Sequence, residues 1–155
     1  VYLDAGTTTG WMIEYIREEK ATYVTNALSH AKRLADKGFC VILIGGEPKS
    51  STDAIVGAEA VLNLQKYHFS KGFFGVNGVD RKSGFTTPDA REAMVKQVAV
   101  KNTQPAHRYF LTTASKFGEV YAVIFAGFES GVILTEDNVS EVLPKSIEVV
   151  NVGQN

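Results

Sequence analysis

The chain has 155 residues, 45% of them apolar and 21% charged, which is typical of one globular domain with its own core. The net charge is −1 and the basic residues are scattered, which argues against nucleic-acid binding by this segment itself. The single cysteine, Cys40, excludes an internal disulfide, and its apolar surroundings predict a small buried hydrophobe. No apolar run approaches the roughly 18 residues of a membrane span, and no signal peptide is visible, so we expect a cytoplasmic protein.

The chain opens on a strand-like run, Val1–Leu3, that leads directly into Asp4. A helix is predicted over Thr8–Glu19 from apolar residues at helical spacing. The stripe predicted to face inward consists of Trp11, Met12, Tyr15 and Ile16. Because Val1 already lies inside a strand, we expect residues 1–155 to be a single domain cut from a longer chain.

Strand-like and helix-like segments alternate along the rest of the chain. The further predicted helices span Ala27–Lys37, Gly57–Gln65 and Thr87–Lys101. The further predicted strands span Thr22–Thr25, Phe39–Ile44, Gly72–Val76, Arg108–Leu111, Val132–Thr135 and Ile147–Val152. The continuous apolar run Phe39–Ile44 is typical of a buried parallel strand. This alternation predicts an α/β fold with a mostly parallel sheet flanked by helices.

Ligands bind such sheets in the crevice at the carboxyl ends of the strands. Five predicted strand ends carry small, hydroxylic or ionisable residues, and their coincidence on one edge predicts a ligand site there. The five segments read D-A-G-T-T-T, T-N, G-G-E-P-K-S-S-T-D, N-G-V-D and T-T-A-S-K.

The first of these segments is the strongest candidate for binding an anion. Gly6 is followed by the hydroxyls of Thr7, Thr8 and Thr9, at the point where a strand passes into a helix whose free N–H groups favour negative charge. The alternative is a simple helix cap, a position that threonine favours. Three consecutive threonines exceed what a cap requires, so the segment predicts phosphate binding. Asp4 either accepts sugar hydroxyls or binds neighbouring loop amides.

Six segments occur in an order that resembles the C-terminal sensor domain of DeoR-type bacterial transcription repressors. They are D-A-G-T-T-T, V-T-N at Val24–Asn26, I-G-G at Ile44–Gly46, G-V-N-G-V-D at Gly75–Asp80, G-F-T-T-P-D at Gly84–Asp89 and S-K-F-G at Ser115–Gly118. The resemblance covers residues 1 to about 150. The segment Lys49–Gly57 is most similar to the lactose and fructose repressors within that family.

The resemblance implies a fold shared with ribose-5-phosphate isomerase, glucosamine-6-phosphate deaminase and the CoA transferases. It implies a non-enzymatic domain that senses a phosphorylated sugar, with tagatose 6-phosphate or a fructose phosphate as candidates. An N-terminal winged helix-turn-helix outside this chain would bind DNA. It also implies a homo-oligomer, with no cofactor and no membrane partner.

The resemblance extends the candidate ligand site to the other strand ends. The residues added are Thr25, Asn26, Gly45, Gly46, Lys49, Asn77, Gly78, Asp80, Thr86, Glu92, Lys96 and Lys116. Several have a simpler interpretation: Lys49 lies in a polar turn, Asn77-Gly78 is a turn signal, and Lys116 is a surface lysine. Glu92 and Lys96 are four apart on one helix and would form an exposed ion pair.

The segment Thr112–Phe117 departs from the family pattern. It reads T-T-A-S-K-F, where the family usually has A-D-S-S-K-F, so Thr113 replaces a carboxylate and Ala114 a hydroxyl. This change predicts either a ligand that differs from the family's usual one or weaker binding of that ligand.

Two other functions stay open at this point. Asp80, Glu92 and Lys96 are acid–base candidates for a sugar-phosphate isomerase or deaminase, although G-V-N-G-V-D stands where the isomerases have G-A-D-E. A pure oligomerisation module is the third possibility. The three histidines, His30, His68 and His107, are too far apart in sequence to predict a metal site.

Overall fold

The structure, a computed structural model, describes residues 1–136 and the backbone of residues 149–151. The strands are β1 (Tyr2–Leu3), β2 (Thr22–Thr25), β3 (Cys40–Leu43), β4 (Glu47–Pro48), β5 (Ile55–Val56), β6 (Gly72–Gly75), β7 (Gly78–Asp80), β8 (Gly84–Thr87), β9 (Arg108–Leu111), β10 (Val123–Ala126), β11 (Val132–Thr135) and β12 (Val149–Asn151). The α-helices are α1 (Thr7–Met12), α2 (Leu28–Asp36), α3 (Ala58–Leu64) and α4 (Ala90–Lys101). Short 3₁₀ turns cover Ile13–Tyr15, Pro105–His107 and Ala114–Lys116.

Seven parallel strands form the central sheet in the order β12-β11-β9-β6-β1-β2-β3. The predicted α/β class is therefore confirmed. From β1 the chain winds outward through β2 to β3, and it then returns to place β6 on the other side of β1. The order of strands reverses between β1 and β6, and the carboxyl ends of the strands at such a switch point leave a crevice.

The two faces of the sheet bury separate apolar clusters, because successive strand residues point to opposite sides. In β1, Tyr2 belongs to the larger cluster and Leu3 to the smaller one. In β2, Val24 and Tyr23 divide in the same way. The larger cluster includes Phe74 of β6, which is fully buried. This alternation fixes the register in which β1 and β2 place Asp4 and the residue Asn26 at one edge.

A small antiparallel sheet, β10-β8-β7, covers the larger cluster from the opposite side. Helix α4 contacts β6 of the main sheet as well as β8 and β10 of the small sheet. It is consequently buried on several sides, with Ala93, Val95 and Ala99 each at most 1% exposed. The small sheet was not predicted, because strands of three or four residues carry little periodic signal.

The first predicted helix is wrong in its length and in the face that it buries. Helix α1 ends at Met12 and passes into a 3₁₀ turn, and the backbone is extended at Ile16. Thr9, Gly10 and Ile13 are the buried residues, whereas Trp11 is 64% exposed. Helix α1 faces α2 through Gly10, because a residue without a side chain allows the two helices to approach closely. The bulkier residues of the predicted stripe therefore do not form the buried face.

The prediction for Phe39–Ile44 is also wrong in part. The segment contains β3, which lies at one edge of the sheet and, among the described residues, pairs with β2 alone. Neither face of an edge strand is fully covered, and Cys40 is exposed rather than buried. The predicted strand Ile147–Val152 contains β12, while the parts of it at 147–148 and 152 lie outside the described residues.

Candidate functional site

A cavity of about 700 Å³ opens at the carboxyl ends of β1, β2 and β6, at the switch point of the sheet. We call it the strand-end cavity. Nine predicted site residues line it: Asp4, Gly6, Thr7, Thr8, Asn26, Asn77, Glu92, Lys96 and Lys116. The topology thus brings together residues that are up to 112 positions apart in the sequence, taking Asp4 and Lys116 as the extremes.

Asp4 and Lys96 form a buried ion pair at the floor of the cavity. Their side chains are 1% and 8% exposed, and Lys96 Nζ donates a hydrogen bond to an Asp4 carboxylate oxygen. Asp4 also accepts from the Gly75 N–H at 3.1 Å, and Lys96 donates to the Gly75 carbonyl at 3.0 Å. Burial raises the pKa of Asp4 above its ordinary value, although the Lys96 charge and its hydrogen bond pull the pKa down. Lys96 is therefore tied to the sheet and is not the exposed partner of Glu92.

Helix α1 begins at the cavity, and no side chain caps the N–H groups of its first turn. Gly6 has a φ of 144° and no side chain caps the helix, so the first N–H groups of α1 have no partner within the helix. Thr7 and Thr8 line the cavity. Thr9 does not, because it is buried and donates to the Asp4 carbonyl at 2.7 Å and the Gly6 carbonyl at 3.0 Å. Two of the three threonine hydroxyls are thus available to a ligand, and the third fixes the turn.

Asn26 holds the turn after β1 in place. Its side-chain oxygen accepts from the Tyr2 hydroxyl at 3.1 Å and the Ala5 N–H at 2.9 Å. Its amide nitrogen donates to the Ile55 carbonyl at 3.2 Å. The residue joins three segments that meet at the cavity, so most of its hydrogen-bonding capacity is used within the protein.

Lys116 brings a positive charge to the cavity that is not neutralised by an ion pair. Its ammonium donates to the Val76 carbonyl at 2.7 Å, and within the described residues it forms no salt bridge. Burial and the nearby charge of Lys96 lower the pKa of Lys116 below its ordinary value. A half-buried ammonium without a carboxylate partner favours an anionic ligand.

The loop between β4 and β5 forms another wall, contributing Ser50, Ser51, Thr52 and Asp53. Lys49 anchors this loop on α4 through Asp89, at 2.6 Å, and Glu92, at 3.4 Å. The Thr52 hydroxyl donates to Glu92 at 2.9 Å. Asp53 fastens the other end, because its carboxylate accepts from the Ser29 N–H of α2 at 2.7 Å. Lys49 therefore positions the wall and does not itself line the cavity.

Eight predicted site residues do not line the cavity: Thr9, Thr25, Gly45, Gly46, Lys49, Gly78, Asp80 and Thr86. Asp80 lies at the end of β7, where it accepts from the Lys82 and Ser83 N–H groups at 3.0 and 2.8 Å. Thr86 is fully buried and its hydroxyl accepts from the Tyr121 N–H at 3.0 Å. These contacts give both side chains a structural role in the small sheet.

The sequence does not predict every residue of the cavity, and three of the omitted side chains are large. Trp11 lies at the opening, and His30 and Arg33 extend from α2. Trp11 was assigned to the core from its apolar character, and His30 was considered only as a metal ligand. The H-x-x-R spacing at His30 and Arg33 puts both side chains on one face of a helix that begins at a strand end, and this signal could have identified them.

Within residues 1–136 no group of histidine, cysteine, aspartate and glutamate side chains is arranged to hold a metal ion. Over the same residues, no helix is long and apolar enough to cross a bilayer.

A doubly wound sheet with a polar, partly cationic cavity at its switch point is the arrangement typical of small-ligand-binding domains. Residues 1–138 match the family model described as the DeoR C terminal sensor domain. The chain therefore belongs to the family of DeoR C-terminal sensor domains.

Several relatives are named as regulators. A regulator from Bacillus subtilis called an uncharacterized HTH-type transcriptional regulator FruR is 44% identical over 138 residues, which cover 88% of this chain and 54% of the relative. The lactose phosphotransferase system repressor of Staphylococcus aureus is 35% identical over 122 residues, with 77% and 47% covered. The repressor of the same name from Streptococcus mutans is 30% identical, with 97% and 62% covered. This chain thus spans about half the length of the first two, and its family is one of regulators rather than enzymes.

Proposed function

We propose that this domain is the sugar-phosphate sensor of a transcriptional repressor that controls genes of sugar uptake or catabolism. The observation that supports the proposal is that two groups able to bind an anion line the same cavity. The unpaired ammonium of Lys116 and the uncapped start of α1 at Thr7 and Thr8 both line it. Hydroxyls, free N–H groups and an ammonium are the donors that a phosphate requires.

The rest of the cavity suits the polar body of a sugar. Asn77, Glu92 and the loop hydroxyls of Ser50 and Ser51 supply both donors and acceptors. The volume of about 700 Å³ lies within the usual range of small-ligand sites. Tagatose 6-phosphate, fructose 1-phosphate and fructose 6-phosphate are the first candidates, since the relatives are named for lactose uptake and FruR.

In the longer protein that we propose, an N-terminal helix-turn-helix domain binds DNA and the whole acts in the cytoplasm as a homo-oligomer. The sensor can change DNA affinity only if the sugar phosphate binds the two states of the protein with different free energies.

The test is a thermal unfolding assay with the three sugar phosphates, and with fructose as the unphosphorylated control. A ligand at 100 times its Kd stabilises the folded state by about 2.7 kcal/mol, which should raise the Tm by about 5–10 °C for a domain of this size. Trp11 is the sole tryptophan and lines the cavity, so its fluorescence gives a second readout.

Two variants locate the binding. Lys116→Met should abolish the shift, because it removes the free cavity cation, whereas Lys32→Met on an exposed face of α2 should leave it unchanged. Absence of a shift with every phosphorylated sugar, or an equal shift with fructose, would refute the proposal. An unchanged shift in Lys116→Met would place the phosphate elsewhere.

A further inference from the structure

His30 is a buried polar side chain on the cavity wall, and one of its two ring nitrogens has no hydrogen-bond partner in the part of the chain that the structure describes. It is the third residue of α2, its exposed fraction is 4%, and it lines the strand-end cavity. Its ring nitrogen Nδ1 is buried and has no hydrogen-bond partner among the described residues. Buried polar atoms in folded proteins are almost always paired, so such an atom beside a ligand cavity calls for an explanation.

The ring is held close to α1 by the absence of a side chain at Gly10. A Cβ atom at that position would lie 2.9 Å from His30 Nε2 and 3.2 Å from an Arg33 guanidinium nitrogen. Glycine therefore allows the helix to approach the buried imidazole directly. A polar group that is fixed before the ligand arrives loses little entropy when it binds.

The surroundings of the His30 imidazole favour its neutral form. Burial lowers its pKa below the ordinary value, and the positive charge of Arg33 acts in the same direction. Asp4, Asp53 and the backbone of Gly6 oppose this change without reversing it. A neutral imidazole has one donor and one acceptor nitrogen. The ring already interacts with the Gly6 backbone, and the unpaired Nδ1 suits a hydrogen bond with a sugar hydroxyl.

We infer that His30 is a specificity residue that hydrogen-bonds a hydroxyl of the sugar part of the ligand. This inference rests on the proposed sugar-phosphate site and deepens it. Lys116 and the start of α1 bind the phosphate, and His30 distinguishes a sugar phosphate from a bare phosphate ion. The two functions belong to different elements of the fold, so they can be removed separately.

The test compares two probes, fructose 1-phosphate and inorganic phosphate, by isothermal titration calorimetry on the 155-residue chain; if another sugar of the thermal panel binds more tightly, it replaces the first probe. His30→Leu should weaken binding of the sugar phosphate about threefold to tenfold, the loss expected for one hydrogen bond between neutral groups. It should leave the affinity for inorganic phosphate within about twofold. His30→Asn keeps a polar atom near the position of Nδ1 and should restore much of the sugar-phosphate affinity.

The outcomes separate the inference from the proposed function. If the wild-type chain binds no sugar phosphate, both fail. If the wild type binds but His30→Leu weakens both probes equally, or neither, the inference alone is overturned. A third readout is the ¹⁵N chemical shift of His30 Nδ1, which should move on addition of the sugar phosphate and stay in place with inorganic phosphate. A purely structural histidine would show no such difference, and thermal unfolding of each variant checks that it is folded.

Discussion

At the scale of single residues, partial burial makes the Lys116 ammonium a favourable partner for an anion. Its ammonium is half-buried, donates to the Val76 carbonyl and lies near the charge of Lys96. The lowered pKa means that the empty domain keeps this charge at a cost, which a bound phosphate would relieve. Asp4 and Lys96 represent the opposite case, because each satisfies the other and neither is free for a ligand.

The titration of Lys116 predicts a pH dependence of ligand binding. Since its folded-state pKa lies below the unfolded value, the empty domain gains stability as pH rises from that pKa towards the ordinary 10.5. Over the same window the affinity for a sugar phosphate should fall, because the ammonium that binds the phosphate is being discharged. Calorimetric titrations at a series of pH values from neutral towards the ordinary pKa of about 10.5 measure the fall.

Lys116→Arg is the matched variant for this experiment. A guanidinium stays protonated throughout the range, so its affinity should be nearly independent of pH even if its absolute value is lower. Parallel pH profiles for the wild type and Lys116→Arg would assign the dependence to another group.

At the scale of elements, two glycines that were both predicted to contact the ligand have different roles. Gly78 lies in β7, where a Cβ atom would come within 2.3 Å of the Glu119 carbonyl oxygen. Gly45 follows β3, and nothing lies within 4 Å of its Cβ position. Neither glycine lines the strand-end cavity. Gly78 is required because the backbone at Glu119 approaches it closely, whereas Gly45 has no steric reason to be a glycine.

Gly78→Ala should therefore destabilise the domain by about 1–3 kcal/mol, the usual cost of overpacking. Gly45→Ala should cost nothing, because its backbone lies outside the left-handed region and the space is open. Urea unfolding of the two variants measures the difference. Equal stability would show that the chain after Lys116 moves easily away from β7.

At the scale of the whole molecule, the residues at the floor of the cavity also connect the main sheet, helix α4 and the small sheet. Asp4 follows β1, Gly75 ends β6 and Lys96 lies in α4, which contacts both sheets. Lys96 is in addition 5.2 Å from the ring centre of Phe125 in β10. The same ion pair therefore shapes the site and connects the helix to both sheets.

Lys96→Met should destabilise the whole domain by about 3–5 kcal/mol, because it leaves the Asp4 carboxylate buried without its partner. Lys32→Met removes an exposed pair with Asp36 and should leave the free energy of unfolding nearly unchanged. Chemical denaturation followed by circular dichroism measures both. A loss in Lys96→Met no larger than that in Lys32→Met would mean that the pair contributes little to the connection between α4 and the sheets.

Much of the fold and part of the site were predictable from local patterns. Helix α2 follows from apolar residues at helical spacing, the start of α4 from the signals at Pro88 and Asp89, and the strands of the main sheet from short apolar runs. Thr7 and Thr8 follow from a glycine between a strand and a helix. The predictions fail where contacts between elements distant in sequence determine whether a side chain is buried or exposed. Cys40 is exposed because β3 is at the edge of the sheet, and Trp11 is at the cavity because Gly10, not the tryptophan, packs on α2.

The sequence by itself determined the fold class, the family and the edge of the sheet where polar residues collect, because each depends on periodicity or on an ordered set of short motifs. The tertiary structure decided which of those polar residues face the cavity. Lys96 lines the cavity but is paired there with Asp4. Lys49 pairs with Asp89, and Asp80 accepts from the amides of its own hairpin, so neither faces the cavity. His30 also belongs to the site because of tertiary packing, since the packing of α1 on α2 brings its ring to the cavity wall.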